Sequence, residues 1–431
     1  MVNCWVNEGK AAVKLPFDKR ELIVVLVLLF LAFMVRFAFF SNQGYQTDTT
    51  DFMLWFQHAA DVGPRAFYTN YWCDYPPFNI FFFWGFGLVA KCLAVFGTSM
   101  FVYVMKIAPN LFDLATAFII FAFARKRLSF KWALVGAALY AFNPAAVFNA
   151  AVWGQFDAIY TFLLVSSLYL VLESKTKLAV VAFMLAILTK PQSIAMAPLF
   201  IYLVIRKTDW KGFLTSLGVA AATVAAVILP FEWTNGNPVT WLSSIYIGAY
   251  STPQYQVTSL NAFNFWAFGG LWVSDAGGLN IIGWILFGVM AAFAVYLVHK
   301  RYGASDELLV IFAAFVLFFS FFMLPTRMHE RYLFPAISML ALMFPFLKKT
   351  RLLFVALTAT CFVNQAYVLD ALVKAYPYGA NLNGDPVVFI VSLINSLMFV
   401  YVLMLMLGEL WGRKWLSSNQ AKNPINASGE G

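Results

Sequence analysis

Apolar runs of membrane-spanning length recur from one end of this 431-residue chain to the other. A helix of about 20 apolar residues is long enough to cross a bilayer. Hydrophobic residues make up 62% of the chain and charged residues only 11%, whereas a soluble domain carries about 25% charged residues. The pattern therefore predicts an all-α polytopic membrane protein without a soluble domain.

Short basic clusters separate the apolar runs, and such clusters stay on the cytoplasmic side of a membrane. Alternating crossings between them predict about twelve transmembrane helices with both termini inside. The net charge of +9 is spread over these clusters and not gathered on one face, so nucleic-acid binding is not expected. The clusters lie at residues 10–20, 125–131, 175–177, 206–211, 300–301, 348–351 and 413–414.

Three parts follow from this topology. Residues 1–20 form a cytoplasmic segment that is too polar for a cleaved signal, residues 21–411 form the multi-spanning domain, and residues 412–431 form a disordered cytoplasmic tail. Within the domain, residues 42–104 form the first outer loop with juxtamembrane helices, and residues 231–278 form a long outer loop.

The apolar run at residues 78–97 is predicted to be a juxtamembrane helix and not a span. A crossing here would place the basic cluster at residues 125–131 outside. Asp74 followed by Pro76 and Pro77 has the pattern of a helix cap and helix start. The helix should lie near the outer interface.

The unusual polar side chains all fall on the outer side in this topology. Polar residues with unrelated structural roles would be scattered over both sides of the membrane, so one shared outer site is the simpler hypothesis. Its members are Asp48, Asp51, Asp74 and Tyr75 in the first outer loop, Trp153, Gln155 and Asp157 in an outer turn, Lys190 and Gln192 at a broken helix, and Arg327, His329, Glu330 and Arg331 in a later outer connection.

The residue types at this site indicate chemistry on a phosphate. Cations can bind phosphate oxygens, and a carboxylate can deprotonate a hydroxyl. The sequence has no metalloprotease motif, nucleophile elbow or Gly-rich phosphate loop. Because nucleotide sugars are cytoplasmic and the site is predicted outside, a lipid-carried phosphate is the expected donor. No zinc site or disulfide framework is indicated by the spacing of Cys4, Cys73, Cys92 and Cys361.

Several segments together resemble the GT-C superfamily of glycosyltransferases, which includes dolichyl-phosphate-glucose-dependent glucosyltransferases and bacterial relatives of the GPI mannosyltransferases. The resemblance covers roughly residues 20–345. It is carried by Asp48, Phe52, Trp55, Gly63 and Phe67-Tyr68, by Asp74-Tyr75-Pro76-Pro77, Asn143-Pro144 and Trp153-Gly154-Gln155-Phe156-Asp157, and by Thr189-Lys190-Pro191-Gln192 and His329-Glu330-Arg331-Tyr332-Leu333.

The resemblance implies transfer of a hexose, mannose first among the candidates, from a polyprenyl-phosphate donor to an acceptor hydroxyl. It implies inversion without a metal or other cofactor. The acceptor would be a glycan, lipid or protein, and the site would face outward from a plasma membrane. Membrane lipid is the other expected partner.

Residue roles follow from matched positions. Asp48 would be the general base, with Asp51 as the alternative, and His329 and Arg331 would hold the donor phosphate together with the cations Lys190 and Arg327. Neither Asp51 nor Arg327 belongs to the family pattern. The remaining substrate contacts are expected from Asp74, Tyr75, Trp153, Gln155, Asp157, Gln192 and Glu330.

Structural alternatives stand beside these roles. Asp48 could cap a helix at residues 49–62, and Asp74 could cap the next one. The spacing of Phe52, Trp55, Phe56 and Ala59 favours an interfacial face. Asp113, inside a predicted span, is expected to hydrogen-bond between helices.

Two other functions are alternatives to the glycosyltransferase. A lipid-linked sugar flippase predicts internal repeats and ionisable residues at the bilayer midplane, whereas this sequence shows no repeat and its charges sit at the predicted outer boundary. An oligosaccharide polymerase or ligase would share the outer site but use a lipid-diphosphate donor.

Overall fold

The computed structural model describes residues 17–234, 236–251, 255–301 and 307–412, which are almost entirely helical. Residues 1–16 of the predicted N-terminal segment lie outside the described residues, as does the predicted tail apart from Gly412. The helices are α1 (Lys19–Phe37), α2 (Gln46–Ala66), α3 (Pro77–Cys92), α4 (Phe101–Arg125), α5 (Phe130–Ala141), α6 (Pro144–Val147), α7 (Asp157–Leu172), α8 (Thr176–Ile187), α9 (Ala197–Lys207), α10 (Trp210–Ile228), α11 (Pro238–Ser251), α12 (Leu279–Arg301), α13 (Glu307–Met323), α14 (Phe334–Met343), α15 (Lys348–Ala375) and α16 (Pro386–Leu410).

Irregular elements interrupt this helical array in several of the segments that are predicted to lie outside. A π-helical segment covers Phe148–Trp153, and 3₁₀ segments cover Pro191–Met196 and Phe265–Gly269. Two short strands, β1 (Ser259–Leu260) and β2 (Met328–His329), pair in parallel.

Five of the described helices are long and apolar enough to cross a membrane, namely α4, α10, α12, α15 and α16. The pair formed by α5 and the segment Pro144–Trp153, bent by 40°, makes a sixth if it counts as one span. Five shorter apolar helices lie among them: α3, α7, α8, α13 and α14. The polytopic all-α class is therefore supported, whereas the predicted count of about twelve spans is not confirmed.

The helices α13 and α14 form the centre of the bundle. Every residue of α14, and every residue of α13 after Glu307, is buried. A helix that is apolar on all sides has no face to present to water and packs inside a larger structure. The connection between them, residues 324–333, is therefore anchored at both ends in buried helices.

The helices α2 and α3 of the predicted first outer loop pack against each other. Phe56 of α2 lies with its ring centroid 5.0 Å from that of Phe83 in α3, and Phe52 lies 5.0 Å from Phe156. The prediction of an interfacial face on α2 is thus wrong, because Phe52, Phe56 and their neighbours Trp55 and Ala59 are buried in the protein.

Both predicted caps in this loop are also wrong. Helix α2 begins at Gln46 with Tyr45 as N-cap, which places Asp48 inside the first turn. Helix α3 begins at Pro77 with Pro76 as N-cap, and Asp74 lies two residues earlier. Neither Asp48 nor Asp74 is therefore the N-cap of its helix, and both carboxylates can contact other groups.

The predicted long outer loop, residues 231–278, contacts the connection between α13 and α14. Strand β1 pairs Ser259 with Met328 and Leu260 with His329. The Trp266 indole donates to the carbonyl of Leu324 at 2.6 Å. This loop therefore fixes the backbone from which the His329-to-Arg331 side chains project.

Two expectations about polar residues within helices are confirmed. Helix α8 ends at Ile187 and a 3₁₀ segment follows from Pro191, so the chain is broken around Lys190. Asp113 of α4 accepts from Arg36 of α1 at 2.8 Å and from the hydroxyl of Tyr140 in α5 at 3.1 Å. Asp113 is thus a contact between helices.

Candidate functional site

Asp48 is held by two neutral hydrogen-bond donors. Its Oδ2 accepts from Trp153 Nε1 at 2.8 Å and from Gln155 Nε2 at 2.7 Å. Within the part of the chain that the structure describes, its Oδ1 accepts no hydrogen bond. Burial raises the pKa of Asp48, an effect that the nearby charge of Arg331 and the hydrogen bond from Trp153 partly offset.

The turn that carries these two donors has an unusual backbone. Asn143 caps the preceding short helix by accepting from the backbone N–H groups of Ala145 and Ala146. The chain then continues as a π-helix to Trp153, and Gly154 reverses it with φ +87°. π-Helical turns are frequently found at functional sites, and here the turn aims Trp153 and Gln155 at one carboxylate oxygen.

Asp157 is held by cations. It is fully buried at the start of α7, and its Oδ1 accepts from Lys190 Nζ at 2.7 Å. Its Oδ2 accepts from Asn149 at 3.2 Å and lies 3.5 Å from Arg331 Nε. Because both oxygens of Asp157 are directed at these protein groups, Asp157 holds Lys190 and Arg331 in position.

Arg331 connects the two carboxylates. It forms an ion pair with Glu330, and its guanidinium carbon lies 6.0 Å from the centre of the Trp153 ring, whose indole donates to Asp48. Burial alone would raise the pKa of Glu330, but the charge of Arg331 and the hydrogen bond from His329 outweigh it and lower that pKa to about 2. Glu330 therefore stays ionised and holds Arg331 in place.

A cavity of about 250 Å³ opens beside these groups. One part of its lining is polar and includes cations and one carboxylate, and the other part is aromatic and aliphatic. The predicted site residues that line it are Asp74, Tyr75, Lys190, Gln192, Arg327, His329 and Arg331, whereas Asp48, Asp51, Trp153, Gln155, Asp157 and Glu330 do not.

Asp74 and Tyr75 reach the cavity because the start of α3 is tied to the end of α8. Asn79 donates to the carbonyl of Thr189 at 2.6 Å, next to Lys190. The ammonium of Lys190 lies 5.3 Å from the centre of the Tyr75 ring. The carboxyl of Asp74 faces the cavity, yet the protein around it raises its pKa by desolvation, and Lys190 and Arg331 partly offset this rise.

The pKa of Lys190 is lowered. Burial is the main cause, and the ion pair with Asp157 opposes it. Arg331, a second cation nearby, adds to the lowering. Lys190 and Arg331 therefore lie close together, with Asp157 between them as a shared carboxylate partner.

The two residues outside the family pattern have different surroundings. Asp51 lies one turn from Asp48 and is half-buried; desolvation, together with the charges of Asp48 and Asp74, raises its pKa to about 6. Arg327 lines the cavity and is held by Asp275, which accepts from its Nε at 2.8 Å and from its Nη2 at 3.2 Å.

Three residues that organise the site are not among those predicted from the sequence. Asn149 bridges Asp157 and Gln365 of α15, Asn79 fixes the start of α3, and Asp275 holds Arg327. Asn79 and Asn149 interrupt apolar stretches, and Asp275 is a carboxylate in a loop nearly devoid of them. These polar residues in apolar or uncharged surroundings are the only sequence signals for the three residues. None of these signals indicates which residue each one contacts.

The family model of glycosyltransferase family 87 matches residues 72–325, more than half of the chain. The chain belongs to glycosyltransferase family 87. This is a GT-C-type family of membrane glycosyltransferases, so the predicted superfamily and enzyme class are confirmed. A search of curated proteins found no match.

The matched region of this family 87 glycosyltransferase contains part of the site. Asp74, Asp157 and Lys190 lie within it, whereas Asp48 and Arg331 lie outside. Their contacts with the matched residues, through Trp153 and Asp157, connect them to the family region. Among the described residues, no group of three or more His, Cys, Asp and Glu side chains has a geometry that could hold a metal ion.

Proposed function

We propose that this glycosyltransferase transfers a hexose, with mannose as the first candidate, from a polyprenyl-phosphate donor to an acceptor hydroxyl. In this proposal Asp48 is the general base and the reaction inverts the anomeric centre. The observation that supports it is the arrangement of Asp48, which has one oxygen fixed by Trp153 and Gln155 and the other without a donor among the described residues.

The proposed reaction is a single displacement. The acceptor hydroxyl transfers its proton to Oδ1 of Asp48 while its oxygen forms a bond with the anomeric carbon. The bond from that carbon to the phosphate oxygen breaks, and its electron pair stays on the phosphate. Attack from the side opposite the phosphate inverts the anomeric configuration.

The cations of the cavity suit the leaving group. Lys190, His329 and Arg331 all line the cavity, and positive charge fixed where negative charge develops lowers the barrier by several kcal/mol. A lipid phosphate is already a stable anion and needs charge stabilisation, not a proton. Asp74, which also lines the cavity, is proposed to bind a sugar hydroxyl.

The proposed outward orientation rests on the direction of α4. Lys106 near its beginning bonds to the backbone beside the Asp48 region, and the helix extends about 37 Å to Arg125. Arg125, Lys126 and Arg127 form ion pairs at that far end. Since basic loops stay in the cytoplasm, the site would lie on the outer face, and we propose the plasma membrane.

The test is a transfer assay with purified enzyme and a panel of polyprenyl-phosphate sugars, using glycan, lipid and peptide acceptors. We expect turnover with one hexose donor and a product of inverted anomeric configuration by NMR. Turnover with nucleotide sugars or lipid-diphosphate oligosaccharides would overturn the proposed donor. A product of retained configuration would overturn the single displacement.

Sidedness is tested separately in sealed vesicles of known orientation. A membrane-impermeant acceptor should be glycosylated only when it is added to the side opposite the basic loops. Glycosylation from the basic side would overturn the orientation and leave the chemistry untouched.

A further inference from the structure

Lys106 is a buried lysine that has no carboxylate partner among the described residues. It lies in the second turn of α4 and its exposed fraction is 0%. No described carboxylate forms an ion pair with it. Its ammonium instead donates to three backbone carbonyl oxygens, those of Asn42 at 2.6 Å, Val152 at 3.0 Å and Phe40 at 3.4 Å. Burying a charge in this way is costly, so the arrangement needs an explanation.

The three carbonyls belong to the two segments that meet at Asp48. Phe40 and Asn42 lie in the connection that leads into α2, the helix of Asp48. Val152 precedes Trp153, the first of the two donors to Asp48. One ammonium group therefore fixes the distance between the base and the groups that orient it.

Close backbone packing supports the same junction. Gly44 has φ +66°, and a Cβ there would collide with the carbonyl oxygen of Trp153. Gly154 has φ +87°, and a Cβ there would lie 2.5 Å from Met105 Cε and 3.2 Å from Lys106 Cε. The two segments thus meet with no side chain between them, and the stem of Lys106 packs against the turn.

The next turn of α4 adds a second connection to the same segment. Asn110, four residues after Lys106 and therefore on the same face, donates to the carbonyl of Ala150 at 3.0 Å and to that of Lys106 at 2.8 Å. The π-helical segment before Trp153 is consequently held along its length by one face of α4.

We propose that Lys106 is a positioning residue for the transfer reaction, which sets the contact between Asp48 and its donors Trp153 and Gln155. The inference deepens the proposed function and rests on Asp48 as the base. A lysine suits the task because its three N–H donors can serve three carbonyls from separate segments. Removing the ammonium leaves these carbonyls without a donor and lets the segments move apart.

The first experiment compares Lys106→Met with wild type in the transfer assay. We expect kcat to fall by about 30-fold, since a misplacement of about 1 Å near a reacting group can cost 10²-fold. The KM for the lipid donor should change less than twofold, because Lys106 lies outside the cavity lining. Lys106→Arg, which keeps the charge and donors, should recover part of the loss.

A matched control separates positioning from general destabilisation. Ile120→Ala removes a fully buried side chain from the same helix, toward the end with Arg125. It should lower thermal stability as much as Lys106→Met while leaving kcat per folded molecule near wild type. Equal kcat losses in both variants would overturn the positioning role.

A double-mutant cycle with Asp48→Asn distinguishes the failure of this inference from failure of the proposed function. If Lys106 acts through Asp48, Lys106→Met should cost little in the Asp48→Asn background. Independent, multiplicative losses would overturn the inference while Asp48 remains the base. Full activity of Asp48→Asn alone would instead overturn the proposed base.

Gly154→Ala supplies a second variant if Lys106→Met does not fold. Its Cβ would press on the lysine stem from the other side of the junction. We expect the same signature, a lower kcat with an unchanged KM for the donor. A variant with wild-type kcat would overturn the inference.

Discussion

Asp48 and Asp157 lie in one site but in opposite electrostatic surroundings. Asp48 accepts from two neutral donors, Trp153 and Gln155, and keeps one oxygen without a protein donor in the described structure. Asp157 is fully buried and is paired with Lys190, with Arg331 beside it.

The difference supports the different roles proposed for the two carboxylates. Cations stabilise the ionised form of a carboxylate and make it a poor proton acceptor. Burial raises the pKa of Asp48 and makes it more basic. The proposed base and the proposed anchor thus have different partners, and Arg331 lies near both.

The largest effect is expected from Asp48→Asn, which keeps the shape of the side chain and removes its basicity. Loss of a general base costs about 10²- to 10⁴-fold, and we expect a fall in kcat of about 10³-fold. Asp61→Asn on the same helix is the matched control, because Asp61 is exposed and paired only with Lys91 among the described residues. A variant that keeps more than a tenth of wild-type kcat would contradict the assignment of the base.

The next largest effect is expected from Lys190→Met. This change removes a cation from the cavity wall and leaves Asp157 short of its closest partner. We expect kcat to fall by about 10²-fold, through lost stabilisation of the departing phosphate. Lys126→Met, which breaks a similar pair with Glu173 far from the site, should leave kcat unchanged. Equal effects of the two changes would show that Lys190 acts only on stability.

The sequence predicts those parts of this arrangement that local sequence patterns determine, and it does not predict the tertiary contacts. The helices follow from local apolar patterns, and the break around Lys190 follows from Pro191. The alternating topology predicts only that Asp48, the Trp153 turn and the His329 segment lie on one side of the membrane. Their contacts with one another are visible only in the folded chain.

The hydrogen-bond and ion-pair partners of the site residues cannot be predicted from the sequence in the same way. Asp48 and Asp157 are the same residue type in the predicted outer site. Their different partners, Trp153 and Gln155 for Asp48 and Lys190 with Arg331 for Asp157, become visible only in the folded chain. The aromatic face of α2 has a spacing that fits a membrane interface and a neighbouring helix equally well. Its burial by α3 depends on tertiary packing that the spacing does not encode.

A smaller effect is expected from Asp157→Asn, which tests the anchor. Lys190 and Arg331 lose the charge that holds them, so the donor phosphate should bind less well. We expect kcat/KM for the lipid donor to fall by about tenfold, well below the effect of Asp48→Asn. The acid limb of the pH profile should persist, because the base is still present. Disappearance of that limb would reverse the roles of the two carboxylates.

The smallest effect is expected from Asp51→Asn. The pH shift and the plateau activity of this variant discriminate between the two candidate bases, Asp48 and Asp51. Desolvation, together with the charges of Asp48 and Asp74, raises the pKa of Asp51 to about 6. The repulsion between two carboxylates is reciprocal, so ionised Asp51 also raises the pKa of Asp48. Removing the Asp51 charge should lower the pKa of Asp48 and move the acid limb of kcat/KM to lower pH by a few tenths of a unit. Activity on the plateau should stay within about threefold of wild type, since Asp51 makes no contact with Trp153 or Gln155 in the described structure. A shift to higher pH would contradict the coupling, and loss of the plateau would transfer the role of base from Asp48 to Asp51.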